Sequence, residues 1–327
     1  MAKSHAIEGM LSSLHALRAA PATEAARAEL GKALGSATNL VVAKAAGIVG
    51  EFSLRGFEPD LERAFERFMD KSGSTDRGCV AMTAVAKALY ETGVAAEGVF
   101  LRGIKHVQKE GSYSGSVDTA CELRGFSALG LVRMAYREVM VELVDLLADR
   151  EPQARMAAAR AIAYSGRPEG VLLLRLKLLT GDKESAVLEE CMSALARLDP
   201  RGSVAFLGRF IDAPEEGVRS AAWLALGESR QPEALAMLRT CWERESDAES
   251  RQTLALAIAM LRLPAAIEFL AALVACETVA TATIIVEAMQ LYRHDDALRS
   301  RLDAIVAKRG EAGLRRAFEA AWPRTAK

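Results

Sequence analysis

The sequence predicts an all-α fold, a right-handed α-solenoid (superhelix) of about nine helix pairs, on three observations. Pro168, Pro200, Pro232 and Pro264 stand 32 residues apart, and the apolar pattern around each recurs with them. A period of this length is one helix–turn–helix unit, which cannot bury its apolar face alone and must stack on its neighbours. Half of the 327 residues are hydrophobic but only 6% are aromatic, so Ala, Leu and Val carry the packing, as closely stacked helices require. No strand is expected anywhere.

Superposing the prolines aligns residues 167–179, 199–211, 231–243 and 263–275 as the first helices of four repeats. Each starts near a proline, whose missing N–H is harmless in a first helical turn. We call these the A helices. Residues 153–166, 186–199, 217–230 and 250–263 follow with apolar residues at helical spacing and form the B helices. The register continues without its proline to Tyr136 and to Asp296, which open residues 136–150 and 296–310. Looser versions begin at Pro21, at Pro59 and near Ala96, which brings the A helices to about nine. The whole of 1–327 reads as one solenoid: diverged repeats with loop insertions over 1–118, regular repeats over 119–296, and a C-terminal cap over 297–327 that contains a last helix at 314–322. The residues that break the period fall into two Gly/Ser-rich insertions, KSGSTDRG at 71–78, near Gly73, and KEGSYSGSVD at 109–118, near Gly115. Both read as surface loops.

The net charge is −1, which argues against a surface that binds nucleic acid as a whole. Charge is uneven along the chain: residues 182–249 carry a net −6 and residues 293–327 a net +4, including Lys308, Arg309, Arg315, Arg316, Arg324 and Lys327. Such polarity can orient a charged partner or support self-association. No apolar run is long enough to span a membrane, and Glu8 with His5 and His15 interrupts the N-terminal segment where a signal peptide needs an apolar core. A cytoplasmic location is expected. Cys79, Cys121, Cys191, Cys241 and Cys276 are odd in number, far apart and without a C-x-x-C pair, so they read as reduced, mostly buried thiols.

The segments PEEGVRSAAWLALGESRQPEAL (214–235) and EPQARMAAARAIAYSGRPEGVL (151–172) resemble the HEAT-like repeats of the phycobilin-lyase type: an acidic turn, Val-Arg, an Ala-rich helix, Gly, then Pro-Glu-Ala. The match covers 136–296. The resemblance implies that an Arg near the start of each B helix pairs with an acidic residue in the preceding turn, forming a ladder. Arg155, Arg219 and Arg251 occupy that column, while Val187 and Thr283 replace it in two repeats. Asp149 and Glu245 stand six residues before Arg155 and Arg251, but Ala213 precedes Arg219 and leaves it without the expected partner.

The chemistry-bearing residues form no recognisable catalytic set. His5, His15, His106 and His294 are followed by Ala, Ala, Val and Asp, so the His-Glu dipeptides of a di-iron hydroxylase are missing, and no i, i+4 pair offers a metal site. GSYSGS at 111–116 lacks the Gly-Lys-Ser/Thr of a phosphate loop. Glu189 with Glu190, and Glu215 with Glu216, point about 100° apart on a helix, poor geometry for paired acid and base work. Trp223 beside Arg219, with Tyr164 and Tyr292 in a shared B-helix column, suggests the aromatic surface of a DNA glycosylase, but the acidic repeats around Trp223 would repel phosphates.

The expectation is therefore a non-enzymatic protein-interaction scaffold or adaptor without cofactor, metal or catalytic residue. It would bind a protein partner on a concave face lined by B helices, with Arg155, Arg219, Trp223 and Arg251 as exposed contacts, because Arg and aromatic residues dominate binding hot spots. The alternative is a HEAT-like enzyme or ligand-binding protein, a DNA glycosylase or a bilin-handling protein.

Overall fold

A computed structural model describes residues 2–70, 72–112 and 115–323. Lys71 of the first insertion, Tyr113 and Ser114 of the second, and Arg324 and Lys327 of the basic C-terminal stretch lie outside the described residues. The chain divides into two compact units, Met1–Arg167 and Pro168–Lys327.

The first unit opens with α1 (Ala2–Ala16). Four helix pairs follow: α2 (Glu24–Leu34) with α3 (Asn39–Glu51), α4 (Glu58–Met69) with α6 (Val80–Thr92), α7 (Glu97–Gly103) with α8 (Cys121–Arg133), and α9 (Val139–Leu147) with α10 (Pro152–Ser165). A single turn, α5 (Ser72–Thr75), lies within the second pair. The second unit contains five pairs: α11 (Glu169–Thr180) with α12 (Ser185–Leu198), α13 (Pro200–Leu207) with α14 (Glu216–Ser229), α15 (Pro232–Arg244) with α16 (Ala248–Met260), α17 (Pro264–Cys276) with α18 (Val279–Ala288), and α19 (Asp296–Arg309) with α20 (Ala312–Ala321). Nine A–B pairs are thus present among the described residues. The stretch read as a terminal cap contains the ninth pair: α20 packs on α18, and the buried indole of Trp322 donates to the Val286 carbonyl at 3.1 Å.

Within each unit the B helices stack on one another in sequence, α3, α6, α8 and α10 in the first, and α12, α14, α16, α18 and α20 in the second. Small residues bring them close. On α14, a Cβ built at Gly227 would stand 2.3 Å from the Ala257 carbonyl oxygen on α16, so only glycine permits that approach. The low aromatic content is the sequence counterpart of this packing, because alanine cores such as Ala158, Ala159 and Ala161 on α10 leave no room for rings.

Proline begins α13, α15 and α17 as the repeat pattern required. Six B helices then end through a left-handed residue: Ser53, Gly93, Ala135, Gly166, Arg230 and Arg262, with φ between 48° and 74°. Glycine adopts this geometry without steric cost, whereas a residue with a Cβ is strained there by about 1–2 kcal/mol.

One expectation about secondary structure is overturned. Residues 109–118 form an antiparallel hairpin, β1 (Lys109–Ser112) paired with β2 (Gly115–Asp118), with Lys109 opposite Asp118 and Ser112 opposite Gly115. No apolar alternation announces it, since most of its side chains face water. Its ends are clamped instead: Asp118 accepts from the Gln108 and Ala120 amides at 3.1 and 3.0 Å, and Thr119 N–H donates to the Gln108 carbonyl at 2.9 Å.

The two insertions lock onto each other. Glu110 on β1 accepts from the Gly78 amide at 2.7 Å, from Gln108 Nε2 at 2.6 Å and from the Thr119 hydroxyl at 3.1 Å. Gln108 also donates to the Asp76 carbonyl at 2.7 Å. The buried Asp76 carboxylate accepts from the amides of Ala81 and Met82, where it caps α6 and satisfies two orphan donors at a positive helix end. Cys79 is enclosed in the same turn, and burial, with Asp76 nearby, pushes its thiol up to about 12. Cys191 and Cys241 are also buried, Cys121 is half-buried, and Cys276 is exposed, a mostly buried set as expected.

The Glu110 carboxyl is held below its ordinary value by the Gln108 and Gly78 hydrogen bonds. Burial pushes Asp118 upward, but the Ala120 and Gln108 amides with Arg124 outweigh it and leave it lowered. Both folded-state values lie below the unfolded ones, so this stabilisation is complete above the ordinary carboxylate range and is lost as pH falls through the depressed values. Hydrogen-exchange protection of the Gly78 and Gln108 amides should persist from neutral pH through the ordinary carboxylate range and collapse only below it, and Glu110→Gln should lower the Gly78 protection already at neutral pH.

Candidate functional site

The arginines selected from the sequence form a regular device inside the B-helix stacks. In each case the guanidinium reaches back six residues: Arg155 Nη1 donates to the Asp149 carbonyl at 2.9 Å, Arg219 Nη1 to the Ala213 carbonyl at 3.0 Å, and Arg251 Nε to the Glu245 carbonyl at 2.8 Å. Because the acceptor is the backbone, Ala213 serves as well as an acidic residue, and the partner expected to be missing is present. The carboxylate at that position faces the preceding rung: Arg219 lies 4.0 Å from Glu245, and Arg251 lies 3.6 Å from Glu277. The ladder thus runs forward, from each arginine to the turn of the next repeat.

A fourth rung was not legible. Arg124 on α8 is almost wholly buried, contacts Asp118 six residues back at 2.8 Å, and meets Asp149 in the following repeat at 3.1 Å. Thirty-two residues before Arg155 is Leu123, so the strict period misses it by one position. The six-residue offset from Asp118 to Arg124 is the signal that finds it.

Trp223 is corrected outright. It is 1% exposed, packed on α14 with Arg219 over its ring at 5.6 Å, and cannot be a surface contact. Its indole neighbours Cys241 on the A helix α15. Arg155 is likewise buried, and Arg219 and Arg251 are only partly accessible. Arg251 caps the Trp242 indole at 5.2 Å.

Accessible aromatic and cationic side chains converge instead on the B-helix face of the first unit. Tyr90 of α6 and Phe126 of α8 lie 6.5 Å apart between ring centroids, with Arg133 over Tyr90 at 5.4 Å and Lys87 over Phe126 at 5.7 Å. Partial burial, and then the neighbouring phenol of Tyr164, push the Tyr90 phenol up. Tyr164 itself is 56% exposed. Beside the rings runs a groove of about 330 Å³ between α8 and α10, lined by Phe126, Leu129, Gln153, Ala157 and Arg160. Its floor is low because a Cβ at Gly125 would press on that of Ala157 at 3.0 Å. The helix periodicity of α10 puts Gln153, Ala157, Arg160 and Tyr164 on one stripe.

Among the described residues no group of three or more His, Cys, Asp or Glu is placed to hold a metal ion, and no helix is long and apolar enough to cross a membrane. The groove offers shape, a ring face and one charge of each sign, Arg160 and Glu122.

Residues 172–259 match the family of HEAT repeats. Over that stretch the chain is similar to HEAT repeats. The matched HEAT repeats contain the Arg219 and Arg251 rungs. Among solved structures, the complex of CpcE and CpcF of phycocyanin lyase from Nostoc sp. PCC7120 is similar at 15% identity with a TM-score of 0.42, over 74% of this chain and 94% of that one. Human deoxyhypusine hydroxylase in complex with glycerol is similar at 19% identity with a TM-score of 0.30, over 86% and 96%. A comparison with curated proteins finds no match.

As a core residue of the HEAT repeats, Trp223 replaced by Ala should cost about 3–5 kcal/mol of unfolding free energy in urea titration. Arg124→Met leaves Asp118 buried without its cation and should cost about 3–5 kcal/mol as well, whereas Tyr164→Ala should leave stability within about 0.5 kcal/mol of the parent.

Proposed function

We propose that this chain is a non-enzymatic adaptor that captures a segment of a protein partner on the B-helix face of its first unit. The observation that carries the reading is the accessible cluster of Tyr90, Phe126 and Tyr164 around a groove wide enough for an apolar side chain, with Arg133 and Arg160 beside it, Glu122 in its lining and Lys87 paired to Glu91. Rings and guanidiniums held in place by neighbouring helices lose little freedom on binding, and such residues supply most of the energy of protein interfaces. The architecture of the first unit supports the reading, because its stacked helix pairs present a long side-chain surface on rigid elements.

The partner segment would place an apolar side chain between Phe126 and Leu129 and run across Tyr164. Peptides selected from a random display library against the full chain, and measured by isothermal titration, should bind Phe126→Ala/Tyr164→Ala at least about tenfold more weakly. Val141→Ser, on the A helix α9, should leave their affinity unchanged. Equal binding to parent and double variant, with helicity intact, overturns the reading.

A further inference from the structure

Two residues of the second unit stand where steric preference is for glycine. Arg230 and Arg262 end α14 and α16 in the left-handed conformation, with φ of 53° and 54°, at the position that Gly93 and Gly166 occupy after α6 and α10. They lie 32 residues apart, so they are equivalent members of consecutive repeats. Arginine gains nothing conformationally from that geometry. What it adds over glycine is a guanidinium at the turn.

Neither guanidinium is committed to the fold. Arginines near the same turns in the first unit lock onto the carbonyls of the preceding repeat: Arg133 donates to Tyr90, and Arg167 donates to Tyr136 and Arg137. Among the described residues, the side chains of Arg230 and Arg262 make no hydrogen bond or ion pair, and both residues are exposed. Both also line one cavity of about 710 Å³. Arg197 enters the same cavity from the last turn of α12, where it meets Glu190 at 3.2 Å. Glu228, its one acidic lining residue, accepts a hydrogen bond from the Ser193 hydroxyl at 2.5 Å. Leu256, Met260 and Leu291 supply apolar wall. With Arg197 paired to Glu190, Arg230 and Arg262 against Glu228 leave this open cavity one charge positive, and the volume is that of a small-molecule site.

We propose that this cavity binds a small organic phosphate monoester, with Arg230 and Arg262 holding the dianionic phosphoryl group and the Leu256, Met260 and Leu291 side chains covering the organic part. Guanidiniums match phosphoryl oxygens in geometry as well as charge, through paired N–H donors. A competing account is that the two arginines only neutralise the negative ends of α14 and α16. Substitution by glycine separates the two, because it suits the left-handed backbone and so tests the guanidinium without threatening the fold.

The full chain would be titrated with phenyl phosphate, inorganic phosphate and benzoate by isothermal titration. Phenyl phosphate should bind saturably and at least about tenfold more tightly than either of the others. Arg230→Gly and Arg262→Gly should each weaken it about tenfold or more, and the double variant should abolish it while its melting temperature stays equal or rises. No saturable binding of phenyl phosphate, benzoate or inorganic phosphate binding as tightly, or a double glycine variant that binds like the parent, each overturns the proposal. A double variant that melts lower supports the capping account and overturns it as well.

Discussion

An arginine held between two turns is the contact on which the stacking of this chain depends. Helices that meet through alanine and glycine bury little area per residue, so neighbouring repeats could slide along one another at small cost. The guanidinium removes that freedom. It is fixed to a carbonyl six residues back in its own repeat and faces a carboxylate in the next one, so the two repeats share one register. Its burial is tolerable because the charge faces a carboxylate and a backbone carbonyl, and because an indole lies under it in two of the rungs. Where the column holds Val187 instead, that residue is fully buried on α12 and the contact is purely apolar.

The helix pairs were legible because their cause is local and periodic. Proline at a first turn, apolar residues at helical spacing and a recurring Gly or turn residue each follow from backbone geometry, and the nine A helices anticipated from them are the nine found among the described residues. The direction of the ladder was not legible. A sequence shows which side chains precede an arginine but does not show that a backbone carbonyl accepts the bond, so Ala213 looked like a missing partner when its side chain is irrelevant. Trp223 failed for a related reason. A tryptophan beside an arginine has the composition of a binding surface and of a capped core ring alike, and only the position of the next helix decides between them.

The exposed rings illustrate the complementary limit. Tyr164 falls in the regular B-helix register, but Tyr90 and Phe126 come from helices of the looser stretch and its border, so superposing repeats does not align the three. Their convergence depends on the stacking of α6, α8 and α10, and the residues that make that stacking close, Gly125 and Ala157, carry no chemistry of their own. The proposed sites thus sit on departures from the repeat consensus, an arginine where glycine fits or a ring where alanine would pack, while the consensus residues hold the frame.

The interlock between the two insertions bears on how such a chain grows and is inherited. A regular repeat touches its neighbours the same way every time, so one copy can be gained or lost by duplication or deletion and the stack closes over the change. The repeats that carry Asp76 and Glu110 do not have that property. Gly78 finds its acceptor on the hairpin of the following repeat, and Gln108 of that hairpin segment finds its own in the turn before. Losing either repeat strands the polar groups of the other, so the two can be gained or lost only as a single block, whereas the regular repeats that follow can change in number one at a time.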